Sequence, residues 1–333
     1  MRNATVCLAL VLFINPHSAK ESLPYRSFAG DFERLADSTQ QLSMPERVRV
    51  FRSTFDKLYP GLYSDSDPAK LRERIARALA DFPKLRPGYD EIQRKFPEAL
   101  AATGLKFHHA FPAFVLPMPI LLIHSLETRD GGTDLVAGRK VMLFGADEMA
   151  RYHNDDSLQP FMIHELFHIE HSRYFQDCDQ LWCPLWQEGL ATLTAATLTP
   201  GASDHQLILD VPHPIRQPTD SDWSDALCWT AENFDSVDHS SISAAFTGRP
   251  LPRTFSPDLR LRSLPSRFGY YVGYRVAAQA AKQVSLSELD TLSHEEARPI
   301  VLHALAGLVN ESKLSCRTPP EKAPITHHDP RPA

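Results

Sequence analysis

The chain has no cluster of basic residues, no CxxC pair and no internal repeat. Without a basic run, and with a net charge of −6 at pH 7, it does not fit a nucleic-acid partner. Without CxxC pairs it is not a zinc finger. Beyond residue 20 no apolar run reaches transmembrane length, so no stable membrane span is expected. Cysteine is scarce, at five in 333 residues. Hydrophobic residues, by contrast, make up 43% and charged residues 23%, a composition that supports a substantial core and excludes a disordered chain. Proline is plentiful, at 27, which favours irregular segments between helices.

Residues 1–19 read as a secretory signal peptide. MRNAT gives a short positive start, VCLALVLFI a nine-residue apolar run, and NPHSA a polar stretch ending in a small residue, with cleavage expected after Ala19. The protein is therefore expected to be exported, periplasmic or secreted. Four cysteines remain: Cys178, Cys183, Cys228 and Cys316. They allow two disulfides in an oxidising compartment, or four buried thiols. The five-residue spacing of Cys178 and Cys183 permits a tight loop closed by one disulfide, with Cys228–Cys316 as the complementary pair.

Apolar spacing of three and four predicts helices over 28–59, broken at Met44-Pro45. A third helix is expected to open at Asp67-Pro68 in N-cap and N1 roles, and a fourth to lie around 88–101. Residues 20–105 thus read as an N-terminal helical subdomain. From residue 113 the pattern changes. AFVLPMPILLIHSL is extended, and TDLVAG and RKVMLFG form a hairpin through Ala137-Gly138. A short helix follows from Ala146 towards His153. Further helices are expected over 158–174, 185–199, 268–283 and 294–310, with a poorly patterned stretch at 200–265. Residues 317–333, rich in proline, read as a disordered tail. The pairs His108-His109 and His327-His328 are expected in solvated loops.

Residues 161–171 read FMIHELFHIEH. On a helix His164 and His168, four apart, project from one face and can share one metal ion. Glu165 projects beside them, within reach of a metal-bound water, which is the HExxH pattern of two ligands and a general base. Met162, Leu166 and Ile169 fill the opposite face. The helix is therefore a core helix with one polar stripe, and that stripe needs a positive partner. In LWQEGLATLTAA, 185–196, Glu188 stands on a second helix among small residues, Gly189, Ala191, Ala195 and Ala196. These let the second helix approach the first. The rival third ligand is His171. Three ligands along one straight helix spread over about 10 Å, too far to meet at one ion, so Glu188 is preferred.

HELFH at 164–168 followed by WQEGLA at 186–191 resembles the gluzincin clan of zinc metallopeptidases. More narrowly, the chain is similar to the poorly characterised predicted Zn-dependent proteases of bacteria, which add a later Gly-Tyr motif, here FGYYVGYRV at 268–276. The likeness covers roughly 110–285. It implies an α+β, mostly helical fold with a zincin-like (thermolysin-like) core over 106–316: a small sheet whose edge strand lines the cleft, an active-site helix, and a second helix bearing the glutamate. It also implies one Zn2+ held by His164, His168 and Glu188, with Glu165 activating water. Thr192 stands where such enzymes usually place an aspartate that orients a zinc histidine.

Within FGYYVGYRV, Tyr270 and Tyr274 share a helix face while Tyr271 points elsewhere. Tyr270, at the Gly-Tyr position, is the candidate donor to a reaction oxyanion. Arg267 or Arg275 could anchor a substrate carboxylate. The expected activity is zinc-dependent hydrolysis of a peptide or protein substrate, its backbone pairing with RKVMLFG as an edge strand. The alternative is a non-catalytic envelope or binding protein that keeps the zinc structurally. Three non-sulfur ligands and an open position favour catalysis.

Overall fold

The sequence caps two of its N-terminal helices with its own side chains. Ser43 and Glu46 form a capping box that starts a helix at the expected Met44-Pro45 break. The Asp67 carboxylate accepts from the amides of Ala69 and Lys70, with Pro68 in the first turn. The computed structural model describes residues 23–153, 157–176, 178–209, 213–247 and 259–316. The expected signal peptide at 1–19, the tail at 317–333 and His327-His328 lie outside the described residues.

Among the described residues the order begins β1 (Tyr25–Ser27), α1 (Ala29–Ser38), α2 (Met44–Leu58), α3 (Pro68–Ala110), β2 (Ile120–Ile123), β3 (Gly131–Val136), β4 (Arg139–Gly145) and α4 (Ala146–Tyr152). It continues with α5 (Leu158–His171), α6 (Trp182–Leu198), α7 (Asp204–Ile208), α8 (Arg216–Ser221), α9 (Trp223–Glu232), α10 (His239–Phe246), α11 (Phe268–Ala280), α12 (Leu286–Asp290) and α13 (His294–Glu311). The protein is α+β and mostly helical, with one small mixed sheet.

The sheet runs β1-β2-β4-β3, with β1, β2 and β4 parallel and β3 antiparallel to β4. The β3–β4 hairpin turns through Ala137 and Gly138, both at positive φ (49° and 77°), as a two-residue turn matched to strand twist requires. Here the structure corrects an expectation. RKVMLFG is β4, flanked on both sides, and the exposed edge belongs to β3. Residues 141–145 of β4 and all of β2 are buried, as strands covered on both faces must be.

The two helices expected over 67–101 are one, the 43-residue α3, and it carries Pro83, Pro87 and Pro97 inside it. Each proline lacks the N–H that would bond the carbonyl four residues back. All three are exposed, while Leu71, Ile75, Phe82, Tyr89, Ile92 and Phe96 form an unbroken buried stripe. Burial of that stripe outweighs the propensity cost. The carbonyl freed by Pro83, that of Leu79, accepts instead from Arg47 Nη2 at 3.4 Å. His108 and His109 end this helix, exposed as expected but not in a loop.

One core joins the N-terminal helices to the rest, from Phe28 to Val309. The expected 105/106 boundary falls inside α3, and β1 from the N-terminal segment pairs with β2. Through Thr103, Lys106 and Phe111, which closely follows it, α3 backs the HExxH helix α5: Thr103 meets Met162, Lys106 bonds Gln159, and Phe111 packs on Phe167. The sheet reaches α5 through Phe144 against Phe161. The stretch 200–265 is less irregular than expected. It holds α7 to α10, which are too short for an apolar period to show but start on Ser203 and Asp238 caps at α7 and α10. Two disulfides close the C-terminal half, Cys178–Cys183 between α5 and α6 and Cys228–Cys316 between α9 and the end of α13.

Arg47→Ala should lower the unfolding free energy by about 1–3 kcal/mol, the cost of leaving the Leu79 and Ala36 carbonyls without their partner. Exposed Arg49→Ala should stay within about 0.5 kcal/mol. Urea midpoints read the contrast, and equal losses would refute the role given to Arg47.

Candidate metal centre

Helix α5 is apolar on nearly every side because it is enclosed by α3, the sheet and α6. Its polar stripe meets α6 at Glu188. His164 Nε2 lies 3.0 Å from Glu188 Oε2, His168 Nε2 lies 3.0 Å from His164 Nε2, and His168 Nε2 lies 3.4 Å from Glu188 Oε2. The three atoms form a nearly equilateral triangle. Hydrogen bonding explains two of its edges at most, because each Nε2 carries either one proton or one lone pair. A single cation at the centre explains all three. Tetrahedral coordination by two imidazoles and a carboxylate sets ligand–ligand edges of about 3.3 Å. The donors thus fit a divalent metal ion.

Burial pushes the His164 imidazole below its usual pKa despite the Glu188 carboxylate. For Glu188, burial acts upward, but His168 and His164 outweigh it and hold the carboxyl well below the ordinary carboxylate range. The centre therefore combines a neutral imidazole with an ionised carboxylate, the protonation state a cation requires.

His171 turns the other way. Its ring lies between Phe167 and Phe175, and its Nδ1 contacts the Asp290 carbonyl at 2.9 Å. It is 1% exposed and serves the packing of α5 against α12, so it is no third ligand. Thr192 donates to the Glu188 carbonyl in its own helix at 2.8 Å, so it does not replace the aspartate expected there.

Glu165 lies over the edge strand. A Cβ on Gly131 would come within 2.9 Å of the Glu165 carboxyl carbon and 2.7 Å of Phe161, so any side chain where β3 begins would displace one of these two. Burial pushes Glu165 up to about 8, with Asp130 and Glu188 adding to the shift and His168 opposing it.

A second close approach completes the site. Gly189 faces Gly273 of α11, and a Cβ on Gly273 would overlap the Leu185 carbonyl oxygen. Gly189 was expected to draw α6 towards α5; its contact is with α11 instead. That crossing brings Tyr270 to the cleft, its ring stacked 6.4 Å from His164. Burial pushes the phenol far above its usual pKa, so it is a proton donor at neutral pH. Tyr274 packs instead with Tyr271, Ile208 and Ile215. Arg275 donates to the Tyr271 hydroxyl and lies over Trp223, away from the cleft. Arg267 lines the cleft, its guanidinium over the Tyr270 ring.

These residues line a cavity of about 440 Å³, bounded by β3, α5, α6 and α7. A second cavity, of about 550 Å³, shares Asp130, Leu209, Arg267 and Tyr270 with it. Sequence reasoning missed Asp130 and His153. The His153 ring packs tilted against Phe161 at 4.1 Å, and its Nε2 is 3.4 Å from Asp130 Oδ2. Neither belongs to a local motif, and they are brought together only by the sheet and the end of α4. A search of family models, of curated proteins and of solved structures finds no match to this chain.

Two outcomes follow. Gly273→Ala, which in an open helix would gain up to about 1 kcal/mol, should here cost about 1–3 kcal/mol by prising α6 from α11; a gain on chemical unfolding would disprove the tight crossing. Glu188→Ala should remove most Zn2+ affinity in an equilibrium titration, whereas His171→Ala should lose stability but keep near-normal affinity. The reverse pattern would require the centre to be redrawn.

Proposed function

We propose that the protein is a zinc-dependent peptidase of gluzincin type with a zincin-like core, exported to an oxidising compartment. The observation that carries this reading is the triangle of His164, His168 and Glu188, drawn from two helices, with Glu165 beside it and an open cavity in front. Two disulfides accord with export. His164, His168 and Glu188 would hold a zinc ion, which when bound would lower the pKa of a water and polarise a carbonyl.

The chain's own residues do the rest. Edge strand β3 has no strand on its outer side and lines the cavity at 131–133, where an extended peptide can pair by displacing the bonds that the Asp130 and Arg129 side chains make to the Gly131 N–H and the Thr133 carbonyl. Glu165 takes the proton of the attacking water and returns it to the leaving amine. A carboxyl whose pKa stands near 8 holds and releases a proton close to neutral pH, as a shuttle must. Tyr270, protonated and facing the same cavity, donates to the developing oxyanion. Arg267 offers a cation at the cavity wall to an anionic group of the substrate.

Glu165→Gln should retain zinc but lower peptide hydrolysis by at least about a hundredfold, the scale of a lost general base. Tyr270→Phe should lower kcat by about a hundredfold with little change in KM. Metal content and a peptide-library digest of the wild type and both variants decide it. A wild type that binds zinc and cleaves nothing would leave the metal in a structural role.

A further inference from the structure

A second group of metal-binding side chains lies on the far side of α6. Cys178 stands in the segment joining α5 to α6, Cys183 in the first turn of α6, and His294 at the first position of α13. The two sulfurs and an imidazole nitrogen of His294 lie within 4.8 Å of one another. His294 Nε2 is buried and has no hydrogen-bond partner. Its ring is held against Trp182 and Phe175, at centroid distances of 4.7 and 5.8 Å. A ring so fixed, with a buried nitrogen unsatisfied, is costly unless some state of the protein uses it.

We propose that Cys178, Cys183 and His294 form a second metal site, closed while the disulfide is intact and opened by its reduction. Its ligand is a thiophilic cation such as Zn2+. A dithiol reductant gives two electrons to the sulfur–sulfur bond, which breaks, and the dithiol becomes its own disulfide. The two thiols lose their protons to solvent as the cation binds both thiolates, with the neutral imidazole as third donor. Two thiolates balance a charge of +2. The Cα atoms are 5.9 Å apart, so side-chain rotation alone can part the sulfurs to the edge of about 3.8 Å that tetrahedral Zn–S bonds require.

The cation ties the start of α6 to the start of α13, where the disulfide tied it to the preceding loop. Glu188 stands five residues beyond Cys183 on α6. Loss of the disulfide then leaves the helix that carries this carboxylate anchored.

The test is a Co2+ titration of the purified full chain, as isolated and after dithiothreitol treatment with the reductant removed under argon. Reduction should add one equivalent of Co2+ per chain, accompanied by a near-ultraviolet thiolate-to-cobalt charge-transfer band. The increment is the readout, so it holds whether or not the His164–His168–Glu188 centre binds metal. In reduced His294→Ala the added equivalent should bind at least about tenfold more weakly. In a Cys228→Ser/Cys316→Ser variant it should persist. Should His294→Ala fail to fold, a Cys178→Ser/Cys183→Ser variant must show no increment. The proposal is overturned by no added equivalent, by a band indifferent to His294→Ala, by a band lost with Cys228 and Cys316, or by loss of the native circular dichroism on reduction.

Discussion

The structure is arranged around the meeting of three polar atoms inside an apolar helix pair. His164, His168 and Glu188 lie at 3.0 to 3.4 Å from one another, an arrangement of which hydrogen bonds account for two edges at most. Holding them there needs a rigid frame. The supports are apolar: α3 behind α5, the sheet beneath it through Phe144 and Phe161, and α11 pressed on α6 at the Gly189–Gly273 crossing. Two of these supports also deliver a side chain or strand to the cavity. The sheet brings the free edge of β3, and α11 brings Tyr270.

This explains a helix with so little amphipathic character. A helix on a protein surface keeps one face polar for solvent. In α5 the polar stripe faces the open cleft, and Met162, Ile163, Leu166, Phe167 and Ile169 are all buried. The N-terminal helices supply the outer layer that a smaller domain would lack. Their own irregularity, three prolines in α3, stays on the solvent side.

What could be read from the sequence was what is local. The His164–His168 spacing is one helical turn, so their shared face follows from helix geometry alone. The rejection of His171 came from the same rule, and the ring's position between Phe167 and Phe175 agrees with it. The Ala137-Gly138 turn was legible because two-residue hairpins demand positive φ. Long-range placements were not. That β4 is central and β3 the edge depends on β2 inserting beside β4, which no local pattern encodes. The continuity of α3 through Pro83 is helped by Arg47, 36 residues earlier, which donates to the freed Leu79 carbonyl. Asp130 and His153 meet in the cavity only because the residues before β3 and the C-terminal end of α4 reach the same place.

The two glutamates of the cavity show how one environment can set two roles. Burial acts to raise the pKa of both. Glu188 faces two imidazoles and is held ionised, well below its ordinary pKa. Glu165 faces Asp130 and Glu188, with His168 as partial relief, and rises to about 8. Carboxyls driven apart in this way separate a fixed negative charge from a movable proton. The proposed chemistry needs both, an anion to hold a cation and a carrier to pass a proton from water to amine. The difference comes from where each side chain points. Glu188 reaches across from α6 into the histidine pair, while Glu165, one residue past His164, is turned onto the bare backbone at Gly131. A side chain at Gly131 would push Glu165 off that ledge. The absence of one methyl group on β3 thus bears on the position, and through it the proton affinity, of the residue that the reaction would depend on most.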